Sequence, residues 1–188
     1  PPRTRATPHR QRDAETITYV LAGSLTQGGT SRGGHVLAGE VQRTVFTGGI
    51  RHGDGNASRG DWAHVFAVSL HAPTAAQDDS PEQRRFSAAQ RRGLWCVVAS
   101  PDGHAGSLRL AQDVRVHSTL LAPGQHLVHE LAARRGAWLH VLHGEVALAD
   151  LVLTAGDGAG FTAERVVSLT ARTDAELLLI DLPLWTSD

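Results

Sequence analysis

The chain has 188 residues, of which 41% are hydrophobic and 20% charged, with a net charge of −1. These values suit a globular protein with one large core or two smaller ones, and the near-neutral balance excludes a basic footprint for nucleic acid or an anionic membrane. The single cysteine, Cys96, excludes an intrachain disulfide and a thiolate zinc cluster; it lies in the apolar run LWCVVA, where a buried, inert thiol is expected.

The chain opens PPRTRATPHR, without an initiator methionine, an apolar signal core or a cleavage pattern. No stretch is long and apolar enough to span a membrane as a helix, so a cytoplasmic protein is expected. Apolar runs of strand length then recur: TITYVLAG (16–23), HVLAGEVQRTVF (35–46) and WAHVFAVSLH (62–71). The polar stretch 72–92, with two prolines and few aliphatics, reads as a linker ending in a helical turn near PEQRRFSAAQRR. Strands resume with LWCVVAS, GSLRLAQDVRVHSTLLA, AWLHVLHGEVALADLVLTAGDGAGF, VVSLTA and AELLLIDLPLW. Short strands at close spacing, with 20 glycines spread among turns, predict an all-β sandwich or barrel on each side of the linker.

The two sides resemble each other. ITYVLAGSL (17–25) compares with LHVLHGEVAL (139–148), and LAGEV (37–41) with TAGDGAG (154–160). Two copies of one β-barrel module are therefore expected: residues 1–75, a linker over 76–92, and residues 93–188.

Within the first copy, GGIRHGDGN (48–56) holds His52 and Asp54 two residues apart. In a turn this would be a solvated loop; in a strand the alternation would aim both side chains at one face. Upstream, HRQRDAETITYVLAG (9–23) sets His9 and Gln11 two apart, with Glu15 and Gly23 following. This order, closed later by Gly39, His52 and Asn56, is the pattern of the cupin barrel. The chain resembles the pirin family of bicupins, especially the bacterial pirin-like quercetin dioxygenases. The family's first motif falls on His9 to Glu15 and Thr18 to Gly23, its second on Gly49 to Asp54. The resemblance continues through EQRRF (82–86), ASPDGHAGSLRLAQD (99–113) and LLLIDLP (177–183).

The resemblance implies two tandem cupin barrels and a metal site at His9, Gln11, His52 and Asp54 in the first. Its cofactor would be a divalent transition metal: Fe, Ni, Mn, Cu or Zn. Two departures stand out. Family members carry several strands before the first motif, where only eight residues precede His9 here, so an edge of the first barrel is expected to lack those strands. The family's three histidines and one glutamate become two histidines, Gln11 and Asp54. Imidazoles with a carboxylate still match the facial triad of non-haem Fe(II), while an amide oxygen is a weaker donor than imidazole.

For the second barrel, the offset Gly23 to Gly144 carries His9 to Glu130 and Gln11 to Ala132. The offset Gly39 to Gly156 carries His52 to Leu169 and Asp54 to Ala171. No metal set is expected there. His35, His64, His71, His104 and His117 show no partner pattern and are expected at the surface or at edges. HLVHE (126–130) lacks the order of a zinc helix motif, and GDGAG (156–160) is not followed by a helix. Two readings of function follow from the resemblance. One is a dioxygenase of flavonols such as quercetin, with Asp54 as the base; the other is a non-catalytic pirin-type binding protein with an eroded metal site.

Overall fold

The computed structural model describes residues 1–28, 34–46, 50–56, 58–71 and 81–184. The chain divides into two compact units: Pro1–Phe86 with Leu108–Gln112, and Ser87–Ser107 with Asp113–Asp188. Almost every regular element in either is a strand.

The first unit carries β1 (Thr4–Arg5), β2 (His9–Gln11), β3 (Ala14–Ala22), β4 (Ser24–Gly28), β5 (His35–Leu37), β6 (Glu40–Phe46), β7 (Ile50–Asn56), β8 (His64–His71) and β9 (Glu82–Arg85). One of its sheets runs β8-β3-β6-β9; the other runs β1-β7-β4-β5, with β2 also on β7. The second unit opens with α1 (Ala88–Arg91), a single helical turn that Ser87 and Gln90 close with a reciprocal capping box. β10 (Cys96–Ser100) follows, and β11 (Leu108–Arg109) returns to the first unit. The second unit then continues with β12 (Arg115–Leu121), β13 (His126–Glu130), β14 (Arg135–His143), β15 (Glu145–Leu148), β16 (Leu151–Thr154), β17 (Gly158–Phe161), β18 (Val166–Ala171) and β19 (Ala175–Pro183). Its sheets run β13-β18-β15-β16 and β10-β12-β19-β14-β17.

Of the segment read as a linker, residues 72–80 lie outside the described ones. Its later part is structured: β9 pairs with β6, and α1 is the helical turn near its end.

The internal repeat is visible in the pairing. β3 lies between β6 and β8 as β14 lies between β17 and β19. β4 pairs with β5 and β7 as β15 pairs with β16 and β18. Gly23 and Gly144 end the equivalent strands β3 and β14, both with positive φ. At either position a Cβ would collide with the backbone carbonyl oxygen of Trp62 or of Asp174, so both the φ and the close approach demand glycine. The second unit differs by having β12 on the free side of β19. Among the described residues β8 pairs only with β3.

The second unit closes around a continuous apolar core that includes Leu139, Val141, Val167, Leu169, Leu177 and Leu179, all essentially inaccessible. In the first unit Val20, Leu25 and Val36 pack together with Val65. Residues opposite one another on a ladder share a face, which sets Thr16 and Thr18 of β3 beside Thr44 and Gln42 of β6. The inner wall of the first barrel is thus largely polar where that of the second is aliphatic.

Candidate functional site

GGIRHGDGN is not a loop from Ile50 onward: residues 50–56 form β7, and Gly48 and Gly49 lie outside the described residues. β7 pairs with β2 so that His9 stands opposite His52, Arg10 opposite Arg51 and Gln11 opposite Ile50. Alternation then brings His52 and Asp54 to one side of β7, and His9 to the same side from β2. The His9 and His52 rings lie 4.4 Å apart, and the Phe46 ring also lies 4.4 Å from that of His52. Gly53, between the two candidate ligands, lies against the backbone of Ala6 and Pro8, so that a Cβ there would press on the Ala6 carbonyl oxygen.

The hydrogen bonds fix the tautomer of His52. The Gln11 amide donates to Thr16 Oγ1 at 2.9 Å and to Ser69 Oγ at 3.1 Å. Its oxygen is therefore turned toward His52 Nε2, 2.8 Å away, which donates to it. His52 Nδ1 lies 3.6 Å from Asp54 Oδ1, beyond a hydrogen bond. That carboxylate oxygen is buried and has no hydrogen-bond partner among the described residues. A cavity of about 340 Å³ is lined in part by Leu25, Asp54, Asn56, Ala63 and Val65; His9, Gln11 and His52 are not among its lining residues.

The donor chemistry here, two imidazoles, a carboxylate and an amide oxygen, suits a first-row transition ion. The unpartnered Asp54 oxygen is one that a cation would satisfy, so the donor types fit, while the ligand atoms of His9, His52 and Asp54 do not gather as closely as those of His117, His129 and Asp181 in the second unit. Glu15 of the same motif is directed elsewhere: fully buried, it pairs with Arg43 Nε at 2.6 Å and accepts from the Ala111 amide at 3.1 Å.

The second unit holds a cluster that the sequence did not reveal. His117, His129 and Asp181 each offer a ligand atom, and these atoms all lie within 4.8 Å of one another; among the described residues no other three histidine, cysteine, aspartate or glutamate side chains approach so closely. The cluster is a candidate metal site. His117 comes from β12, opposite Leu179 of β19, and shares the inward face of the core leucines. It is 7% exposed, not at the surface or an edge as its lack of a sequence partner suggested. Burial pushes its pKa down to about 4, with His129 reinforcing the effect, so it is neutral at pH 7. His35, His64, His71 and His104 are exposed, as expected.

The ladders also correct the arithmetic by which His9 was carried to Glu130. Thr26 opposite Gly55 corresponds to Ala147 opposite Thr170. Counting back along β7 and β18, His52 corresponds to Val167 and Asp54 to Leu169. The residue paired with Val167 is His129, so His129 is the counterpart of His9. One extra residue between β13 and β14 hid this: the left-handed residues Asp13 and Arg134 lie four positions after His9 and five after His129. Asp181 and His117 could have been suspected only from the pairing of β12 with β19.

Asp181 is held in place by its neighbours. Arg135 Nε donates to its Oδ1, and Arg135 also bonds Asp113 Oδ2 at 2.8 Å. Its Oδ2 lies 3.1 Å from His129 Nε2. Burial acts to raise the Asp181 pKa, but hydrogen bonds from His129 and Arg135 outweigh it and hold the carboxyl below its ordinary value. Trp95 stands edge-on to His117 at 6.4 Å and to His129 at 6.2 Å.

Two β units of shared topology, each with imidazoles and a carboxylate brought together on its strands, make a bicupin. The chain belongs to the pirin family of such proteins. Residues 97–182 match the quercetinase C-terminal cupin domain. The chain is 34% identical over 176 residues to quercetin 2,3-dioxygenase of Escherichia coli K12, covering 93% of this chain and 75% of that protein. It is 32% identical to a pirin-like protein of Caulobacter vibrioides, over 96% of this chain and 78% of the other. The crystal structure of the E. coli bacterial pirin YhhW in complex with nickel(II) superposes with a TM-score of 0.85 at 31% identity, covering 96% of this chain and 77% of that one. Among the described residues no helix is long and apolar enough to cross a membrane.

Proposed function

We propose that this chain is a metal-dependent dioxygenase acting on flavonols such as quercetin, with its site on β2 and β7 of the first unit. The observation that carries the reading is the buried Asp54 oxygen, unpartnered among the described residues and 3.6 Å from His52, on a residue that lines a cavity large enough for a small aromatic. A relative named for this activity, 34% identical, supports the substrate class.

His9, His52 and Asp54 would hold the ion, while the Gln11 amide oxygen, which accepts from His52 Nε2, serves to orient that ring. Bound there, a divalent transition ion supplies Lewis acidity to the flavonol oxygens and access to O2. Asp54, as the carboxylate of the site, accepts the proton of the flavonol 3-hydroxyl. Gln11 fixes the His52 ring through Nε2, and Thr16 and Ser69 fix Gln11 in turn. Leu25, Ala63 and Val65 supply apolar contact for the substrate ring and displace water from the proton transfer.

The same Gln11 contacts favour a second reading, a pirin-type binding protein without catalysis. An amide satisfied by three partners has little need of a metal. Quercetin loss after loading with Fe, Ni, Mn, Cu or Zn, followed by absorbance, separates the two. Turnover by the wild type that falls at least a hundredfold in His52→Ala and in Asp54→Asn supports the dioxygenase. Turnover absent under every metal, or unchanged in both variants, removes it in favour of the second reading.

A further inference from the structure

We infer that the second unit contains its own site for a divalent zinc-like ion, ligated by His117, His129 and Asp181. The inference rests on the second barrel alone and does not depend on the reading of the first.

Three side chains that bind first-row metals meet here beside a core of apolar residues. His117 comes from β12, His129 from β13 and Asp181 from β19, strands of both sheets of the unit. Both ring nitrogens of His117 are buried without a hydrogen-bond partner among the described residues. A neutral imidazole has one N–H and one lone pair, and leaving both unmet inside a protein costs free energy that a metal bond would offset. The oxygen–nitrogen pair of Asp181 and His129 is already 3.1 Å apart. Zinc bonds of about 2.0–2.2 Å in a tetrahedron set ligand atoms about 3.4 Å apart. The 4.8 Å spread of the cluster therefore has to contract by only about 1.5 Å, on the His117 side.

The surroundings are those of a supported metal site. Arg135 fixes the other oxygen of Asp181 and so orients the carboxylate. The guanidinium is itself balanced by Asp113, which limits its repulsion of a cation. Trp95, held by a bond from Nε1 to the Val128 carbonyl oxygen, stands edge-on to both rings. Two imidazoles and one carboxylate are the donor set of open zinc sites, with a water as fourth ligand.

The test uses full-length protein in which the first site is disabled by His9→Ala and His52→Ala. After equilibration with zinc and gel filtration, elemental mass spectrometry is expected to find about one zinc per chain. Adding His117→Phe, which keeps the position aromatic and apolar, is expected to remove it, and His104→Ala, at an exposed histidine, to leave it. Nitrogen-15 spectra of the histidine rings in the wild type provide a readout that needs no variant: zinc should shift the His117 and His129 ring nitrogens. A zinc-free double variant, zinc retained after His117→Phe, or unmoved His117 and His129 nitrogens would overturn the site. None of these results bears on whether the first unit turns over quercetin.

Discussion

At equivalent inward positions the two units carry different chemistry. Thr18 of β3 corresponds to Leu139 of β14, and Thr16 to Ala137, counting from Gly23 and Gly144. The first barrel has hydroxyls and amides where the second has aliphatic side chains. Each nevertheless places a histidine at one shared point, His9 and its counterpart His129. In the first unit the partners of that histidine come from β7; in the second they come from β12 and β19, while the β18 positions are Val167 and Leu169. A shared barrel thus presents its titratable groups from different strands, and the pairing of strands does not dictate which strands do so.

The contrast is sharpest in the core. Leu139→Ala should destabilise the second unit by about 2–5 kcal/mol, because Leu139 is fully buried among leucines and valines. Thr18→Ala at the matching position should cost about 1 kcal/mol or less, measured by urea unfolding of the full chain. Equal losses at the two sites would mean that the first barrel is packed as tightly as the second.

Acidification separates the units next. His117 is neutral in the folded protein with a pKa of about 4, below an unfolded value of about 6.5. The unfolded chain therefore binds the extra proton between these values, and stability falls as pH falls through that window. For metal-free protein the loss should approach about 3 kcal/mol by pH 4. His117→Phe should flatten this part of the profile, followed as Tm against pH. A variant that keeps the wild-type slope would show that other groups set it.

A smaller effect tests the departure at Gln11. Gln11→His replaces an amide oxygen by an imidazole nitrogen beside His52 and should tighten nickel binding at the first site on the order of tenfold, read by calorimetry in a His117→Phe background. Unchanged affinity would show that position 11 stays outside the coordination sphere even as a histidine.

The smallest expected change is at Ser69. Ser69→Ala removes one of the two hydroxyls that orient the Gln11 amide and should cost about 0.5–1.5 kcal/mol or less. The His52 side-chain resonances should shift with it if Gln11 fixes that ring.

Much of this architecture was legible in the chain itself. Alternating strands, glycine turns and two spaced motifs are local features, and strand alternation aims His52 and Asp54 together once the segment is a strand. Gly23 and Gly144 marked the repeat because their φ and crowding tolerate no side chain. Counting from them went astray at β13, where one added residue moved the match from Glu130 to His129, since a turn can absorb a residue that a ladder cannot.

What the sequence by itself determined is the family and the all-β character, because each rests on neighbours along the chain; His9, Gln11, His52 and Asp54 it offered as candidate ligands. Only the tertiary structure decided that Glu15 turns to Arg43, that Gln11 holds His52, and that His117 meets His129 and Asp181. Those contacts join residues dozens of positions apart: pairing of strands within a sheet brings Glu15 to Arg43 and Gln11 to His52, packing between sheets brings His129 to Asp181, and neither leaves a trace in local spacing.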